Sequence, residues 1–158
     1  MLAGSIKDWP ELLKQCYQWL RPNGKVEIAE IRTNFWCGDD TFPKDSAVQI
    51  WLDKLIQYFS QEGIELDVIP KVQSWLEEAG FTSVKTLQYP IPVGTWPKDP
   101  ALKERGALFR LHQDRAFEAY ALAVFTRVGG WSYPAFQVLI AKARQELWTN
   151  RMHIFTYA

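Results

Sequence analysis

Apolar residues recur at helical spacing in five stretches of the chain. In the first, Trp9, Leu12, Leu13, Cys16 and Leu20 share one face. Asp8 stands where a helix cap is wanted, Glu11 follows as its capping-box partner, and Pro10 sits in the tolerant first turn. Pro22 and Gly24 end that helix. A second is predicted over 45–62, with Val48, Leu52, Leu55 and Phe59 on one face and Gly63 as its cap. Pro70 opens a third, with Val72, Trp75, Leu76 and Ala79 inward, and Gly80 closes it. A long helical region is expected over 102–127, ended by Gly129-Gly130. Ser132 caps the last helix, where Phe136, Leu139, Ile140, Ala143 and Leu147 keep the spacing.

Strand signals lie between these helices. Residues 25–31 form a short apolar run after the Pro22-Asn23-Gly24 turn. Helix, Pro-Gly turn and buried strand make half of a helix–strand unit of an α/β sheet. Residues 82–89 read as a second strand, and 152–158 as the start of a third. Residues 32–44 are predicted to be a loop at the end of a buried strand, where ligands in open α/β sheets sit. Residues 90–100, with four prolines and Trp96, are expected to form a stiff loop.

Composition narrows the class. A chain of 158 residues is one domain or part of one. Its 47% apolar and 15% aromatic content, with eight Trp, is ample for a core and suits an aromatic-lined pocket. Eighteen basic residues balance eighteen acidic ones, so no global field draws nucleic acid or anionic membrane. Two cysteines make no disulfide framework, no signal peptide opens the chain, and no apolar run reaches transmembrane length. A soluble, cytoplasmic protein with no nucleic-acid or membrane partner is expected.

Candidate chemistry sits beside plainer readings. Glu27 and Glu30 lie on the predicted strand, where a buried carboxylate acts as acid or base. The plainer reading is an exposed edge or a pairing with Arg or Lys. They alternate out of phase, so at most one faces a given side. His112, beside Asp114 and Arg115 in the long helical region, is a candidate pocket base against a structural role on a helix flank. His153 near the chain end carries the same alternatives. Trp36, Trp51, Trp96, Phe117, Tyr120 and Trp131 are candidates to line an apolar substrate pocket, with core packing as the alternative. Asp39 and Asp40 are read as turn caps rather than a metal pair, and Cys37 has no histidine close in sequence to activate it. No metal site is expected.

Several stretches resemble one family. They are Gly4-Ser5-Ile6-Lys7-Asp8-Trp9, LRPNGKVEIAE over 20–30, Asp40-Thr41, EEAGFTSV over 77–84, IPVGTWPKD over 91–99, Gly130-Trp131-Ser132 and ARQEL over 143–147. Together they resemble class I S-adenosylmethionine (SAM)-dependent methyltransferases of the fungal LaeA-like group. The resemblance runs over nearly the whole chain but only over the family's second half. It implies a partial Rossmann-like fold: late strands of the sheet with surrounding helices, and the cofactor-binding half missing. By that analogy 25–31 is the fifth strand, 82–89 the sixth, and 152 onward the seventh, inserted antiparallel between them. Asn23 departs from the family's usual second glycine.

The family's cofactor site needs a glycine-rich turn after the first strand and an acid on the next. No pair among the nine glycines has the Gly-x-Gly spacing. The chain alone is therefore expected neither to bind SAM in the family's way nor to methylate. One truncated domain over 1–158 is expected, its edge at 26–31 covered by a second copy, a partner chain or its own ends. Beginning with Met, it is expected to be a naturally short protein, with a fragment of a longer enzyme as the alternative. The leading functional expectation is binding of a small apolar natural product and a SAM-independent cyclisation, isomerisation or dehydration. The alternatives are the substrate half of a methyltransferase and a non-catalytic interaction protein.

Overall fold

The five predicted helices form among residues 3–158, the part of the chain that the computed structural model describes. They are α1 (Trp9–Trp19), α2 (Ala47–Gln61), α3 (Ile69–Glu78), α4 (Pro100–Arg127) and α5 (Tyr133–Trp148). Side chains satisfy amides that the first turns leave open. The Glu11 N–H donates to Asp8 at 2.9 Å, Gln49 to Ser46 at 3.1 Å, Leu102 to Asp99 at 2.8 Å, and Ala135 to Ser132 at 3.4 Å.

The strands are shorter than the pattern predicts and lie later in the chain. They are β1 (Trp36–Cys37), β2 (Pro90–Pro92) and β3 (Ile154–Tyr157), in the order β1–β3–β2, with β3 antiparallel to both neighbours. The terminal strand therefore lies between the two earlier ones, as the family analogy implies. Residues 25–31 and 82–88, however, join no ladder among the described residues. The ladders reach back only to Trp36, which faces Phe155, and to Pro90, which faces Tyr157. Only the end of the first run is tied to the sheet. The Arg32 N–H donates to the Tyr157 carbonyl at 2.8 Å, and the Thr156 hydroxyl donates to the Arg32 carbonyl at 2.8 Å.

A proline-rich stretch predicted as a loop becomes the edge strand β2. Tyr89 and Ala158 exchange N–H···O bonds of 2.7 and 3.0 Å, and the Val93 N–H donates to Ile154 at 2.9 Å. Pro90 and Pro92 fall between, where an N–H would face away from β3. Proline is tolerated on an edge strand for that reason, and it blocks further pairing there.

The main core joins α2, α4 and α5 to the sheet through Leu52, Phe117, Phe125, Phe136, Ile140 and Ile154. A second cluster gathers Ala3, Trp9 and Val68, with Ile6, Leu12, Ile28, Val72 and Trp75 packed against it. The Glu146 carboxylate of α5 accepts from the Ala47 and Val48 N–H groups at 3.0 and 3.1 Å. An acid from one helix thus caps another, where the amide dipoles favour negative charge.

The narrow sequence signatures act as staples. The Gly94 N–H donates to the Gly106 carbonyl at 3.0 Å, the Thr95 N–H to Asn150 at 3.0 Å, and Trp96 Nε1 to the Ile154 carbonyl at 3.1 Å. Gly106 lies inside α4, and a Cβ there would come within 2.1 Å of the Gly94 oxygen. Trp131 Nε1 donates to the Tyr58 hydroxyl at 2.8 Å.

Two stability outcomes follow from this packing. Glu146→Ala leaves two amides of α2 uncapped and is expected to cost about 1–3 kcal/mol in urea unfolding. Gly106→Ala should raise helix propensity by about 1 kcal/mol. The clash with the Gly94 carbonyl reverses the sign, and a net loss of about 1–3 kcal/mol is expected in the same measurement.

Candidate functional site

A cavity of about 140 Å³ opens where the main core meets the start of the chain. From α2, Trp51, Leu52, Leu55 and Phe59 form an apolar wall. Ile31, Arg32, Thr33 and Phe35 form a second wall, and Gly4, Ser5 and Leu66 complete it on that side. From α4 come Phe109, His112, Gln113 and Tyr120, which add polar atoms to those of Ser5, Arg32 and Thr33 in a mostly apolar lining. Their spacing places them on one face of the helix.

The lining is held in place from behind. Trp51 Nε1 donates to the Phe117 carbonyl at 3.1 Å, and the two rings meet edge-on at 4.7 Å. Arg32 forms a bidentate pair with Asp67 at 2.7 and 2.8 Å, and its guanidinium lies 5.1 Å from the Trp36 ring centre. The Thr33 hydroxyl donates to the Leu66 carbonyl at 3.1 Å. His112 stacks on Phe109 at 5.8 Å.

Of the candidates read from the sequence, His112, Trp51 and Tyr120 line this cavity. Glu27 is exposed, whereas Glu30 is 5% exposed; neither is among the lining residues. Their opposite burial fits a spacing of three along an alternating segment. Phe117 is fully buried behind Trp51, and Trp131 packs on Phe125 and bonds Tyr58. Trp36 meets Tyr157 edge-on at 5.3 Å. Trp96 tilts over His153 at 5.2 Å.

That last contact belongs to a group that sequence reasoning did not assemble. His153 Nδ1 lies 2.5 Å from Asp39 Oδ2. The Thr41 hydroxyl donates to Asp39 Oδ1 at 2.7 Å, and the Cys37 thiol donates to the same oxygen at 3.2 Å. The His153 N–H in turn donates to the Thr41 hydroxyl at 2.8 Å. Cys37 and Asp39 are separated from His153 by more than a hundred residues, so no local spacing marks the group. Pairing of β1 with β3 brings them together. The His153 ring above all, then Thr41 and Cys37, hold the Asp39 carboxyl well below its ordinary value of 3.8.

With both sites in view, the comparisons with known proteins can be placed. A family model described as a methyltransferase domain matches residues 1–86. The chain belongs to this methyltransferase family. It is 40% identical over 152 residues to "Methyltransferase pytC" of Aspergillus terreus, covering 96% of this chain and 47% of that protein. It is 30% identical over 157 residues to "Secondary metabolism regulator LAE1" of Cochliobolus heterostrophus, covering 98% of this chain and 51% of that one. It is 27% identical over 160 residues to "Protein-methionine methyltransferase laeA" of Emericella nidulans, covering 98% and 41%. The chain thus spans about half the length of the curated relatives it matches, in keeping with a C-terminal half of the LaeA-like fungal group. No solved structure matches. Among the described residues no helix is long and apolar enough to cross a membrane.

Methyltransferases of this family draw their methyl group from SAM, and the described residues do not fit that cofactor. A cradle needs neighbouring glycines whose missing side chains leave room for the ligand. Here Gly24, Gly80, Gly94, Gly106 and Gly129 have that room filled by Leu20, Tyr17, Asn150, the Gly94 carbonyl and Tyr58. Gly4 meets Leu66 and Phe59 at ordinary contact distance, Gly38 and Gly63 open onto free space in separate loops, and Gly130 opens outward beside the filled Gly129.

Asp39 carries a pH signature of this methyltransferase-family chain. Its folded value is depressed, so its contribution to stability is present above 3.8 and is lost as pH falls towards the folded value. Thermal unfolding from pH 7 down to pH 2 should show an acid limb below about pH 4 that Asp39→Asn flattens.

Proposed function

We propose that this chain is the acceptor-binding part of a LaeA-like methyltransferase-type protein of fungal secondary metabolism. The cavity beside α2 and α4 carries the proposal. Its lining is mostly apolar and aromatic, with Ser5, Arg32, Thr33, His112, Gln113 and Tyr120 as polar groups. A space of about 140 Å³ suits one aromatic ring or a short branched alkyl group. The ligand is thus a small, largely apolar natural product, or one ring of a larger one.

Methyl transfer needs SAM, and the residues here do not make its cradle. In this reading the cofactor-binding part comes from another segment or a partner chain. The contact surface for it in this reading is the outward face of the run 26–31, where Glu27 and Ala29 are exposed; the run joins no ladder among the described residues. A homodimer closing the same edge is the competing arrangement.

A second reading keeps the cofactor-independent cyclisation, isomerisation or dehydration. It is favoured by one observation, the placement of His112 on the cavity wall, where an imidazole serves as acid or base. Glu27 and Glu30 are not among the lining residues, so the binding reading ranks first.

The test is calorimetry on the purified chain with SAM, with its mass in solution taken on the same sample. The expected result is no SAM binding alone, and association with the separately expressed first half of a pytC-like relative that restores methylation of an aromatic acceptor. Micromolar SAM binding by the chain alone would overturn the proposal. Turnover of an acceptor without SAM, lost in His112→Ala, would move the conclusion to the second reading.

A further inference from the structure

Outside the cavity, the group at Asp39 and His153 has the geometry of an oriented base. We propose that His153, oriented by Asp39, is a general base that takes the proton of a phenolic or enolic hydroxyl on a small acceptor. Three observations support it.

The first is the tautomer. A carboxylate held against Nδ1 keeps the proton on that nitrogen and leaves the Nε2 lone pair outward. Nε2 has no protein partner among the described residues. The side chain is 38% exposed, so an acceptor can reach it.

The second is preorganisation. Asp39 Oδ1 is occupied by the Thr41 hydroxyl, the Thr41 N–H and the Cys37 thiol, which leaves Oδ2 for the imidazole. The backbone of His153 is fixed by its own bond to Thr41. Trp96 lies along one face of the ring, itself pinned to the Ile154 carbonyl. The imidazole is thus held by its edge, its backbone and its face, as a positioned base requires.

The third is place. The group joins the carboxyl end of β1 to the amino end of β3, the end of an α/β sheet where ligands gather. The acceptor class follows from proton affinity. An imidazole base takes the proton of a phenol or enol far more readily than that of an ordinary alcohol. The proton moves from the hydroxyl oxygen to Nε2, giving a phenolate or enolate and an imidazolium. Asp39 stays ionised and offsets the new charge, and the imidazolium returns its proton to water.

The chain has only two histidines, which makes the test clean. In nitrogen-15 NMR of the intact chain at pH 8, His153 is expected as the Nδ1–H tautomer, with a far-downfield Nδ1 proton. An Nε2–H tautomer would overturn the proposal without any variant. The second arm follows hydrogen–deuterium exchange at the central carbon of acetylacetone, where Nε2 would take the acidic C–H proton of the keto form and give the same enolate that loss of the enol O–H proton gives. His153→Gln should abolish any acceleration over buffer, Asp39→Asn should lower it about tenfold, and Asp39→Glu should restore part of it. A rate that His153→Gln leaves unchanged would sink the assignment.

Discussion

A four-residue strand in the middle of the sheet decides how much of this chain can be sheet at all. β3 pairs with β1 on one side and β2 on the other. Ile154 and Thr156 on it are fully buried. Its carbonyls accept from Trp96, Val93 and Arg32, so the loop before α4 and the segment after residue 31 both hang on it. Antiparallel pairing is register-bound, and a strand can only be as long as its partner. β1 leaves the ladder at Phe155, whereas β2 follows β3 to Tyr157. The Asp39–His153 pair sits at the opposite end of this strand, where its first residues meet β1.

The short signatures that tie the chain to its family have mostly structural work. Gly94 to Asp99 bends, bonds Asn150 and Ile154, and then caps α4. Gly129 lets Tyr58 approach so closely that a Cβ would lie 2.5 Å from its ring, and Trp131 then bonds the Tyr58 hydroxyl. Glu146 caps α2 across the core. A signature of this kind identifies a fold because only a few residue types can make a close approach or a charged cap. Such residues report on chemistry only where they also face a ligand. The cavity wall lies outside those signatures, apart from Gly4 and Ser5, and its residues come from ordinary helix faces.

The helices were legible because their signal is local: an apolar repeat, a capping side chain and a proline or glycine all lie within one stretch. Asp8 and Ser132 could be read as caps for that reason. Strand placement was not legible, because it depends on register with β3, which is more than a hundred residues away from β1. A run such as 25–31 has the composition of a strand but joins no ladder among the described residues. The prolines at 90 and 92 argued for a loop, and only their alternation against β3 shows why an edge strand accepts them. The site divides in the same way. An aromatic pocket was foreseeable from composition, and His112, Trp51 and Tyr120 from their helix positions. Phe117 and Trp131 look the same in sequence and turn inward. Cys37, Asp39 and His153 each had a plain local explanation, and only tertiary pairing makes them a group.

The cavity and the His153–Asp39 pair rest on different parts of one fold. The cavity is walled by α2 and α4, whose packing belongs to the main core and needs no strand beyond β3. The His153–Asp39 pair needs β1 and β3 in register and little else. Both lie along the single segment 31–41: its first residues wall the cavity, and its last ones hold the imidazole. Arg32 connects the two ends, since it lines the cavity, pairs with Asp67, lies against Trp36 and bonds Tyr157 through its backbone.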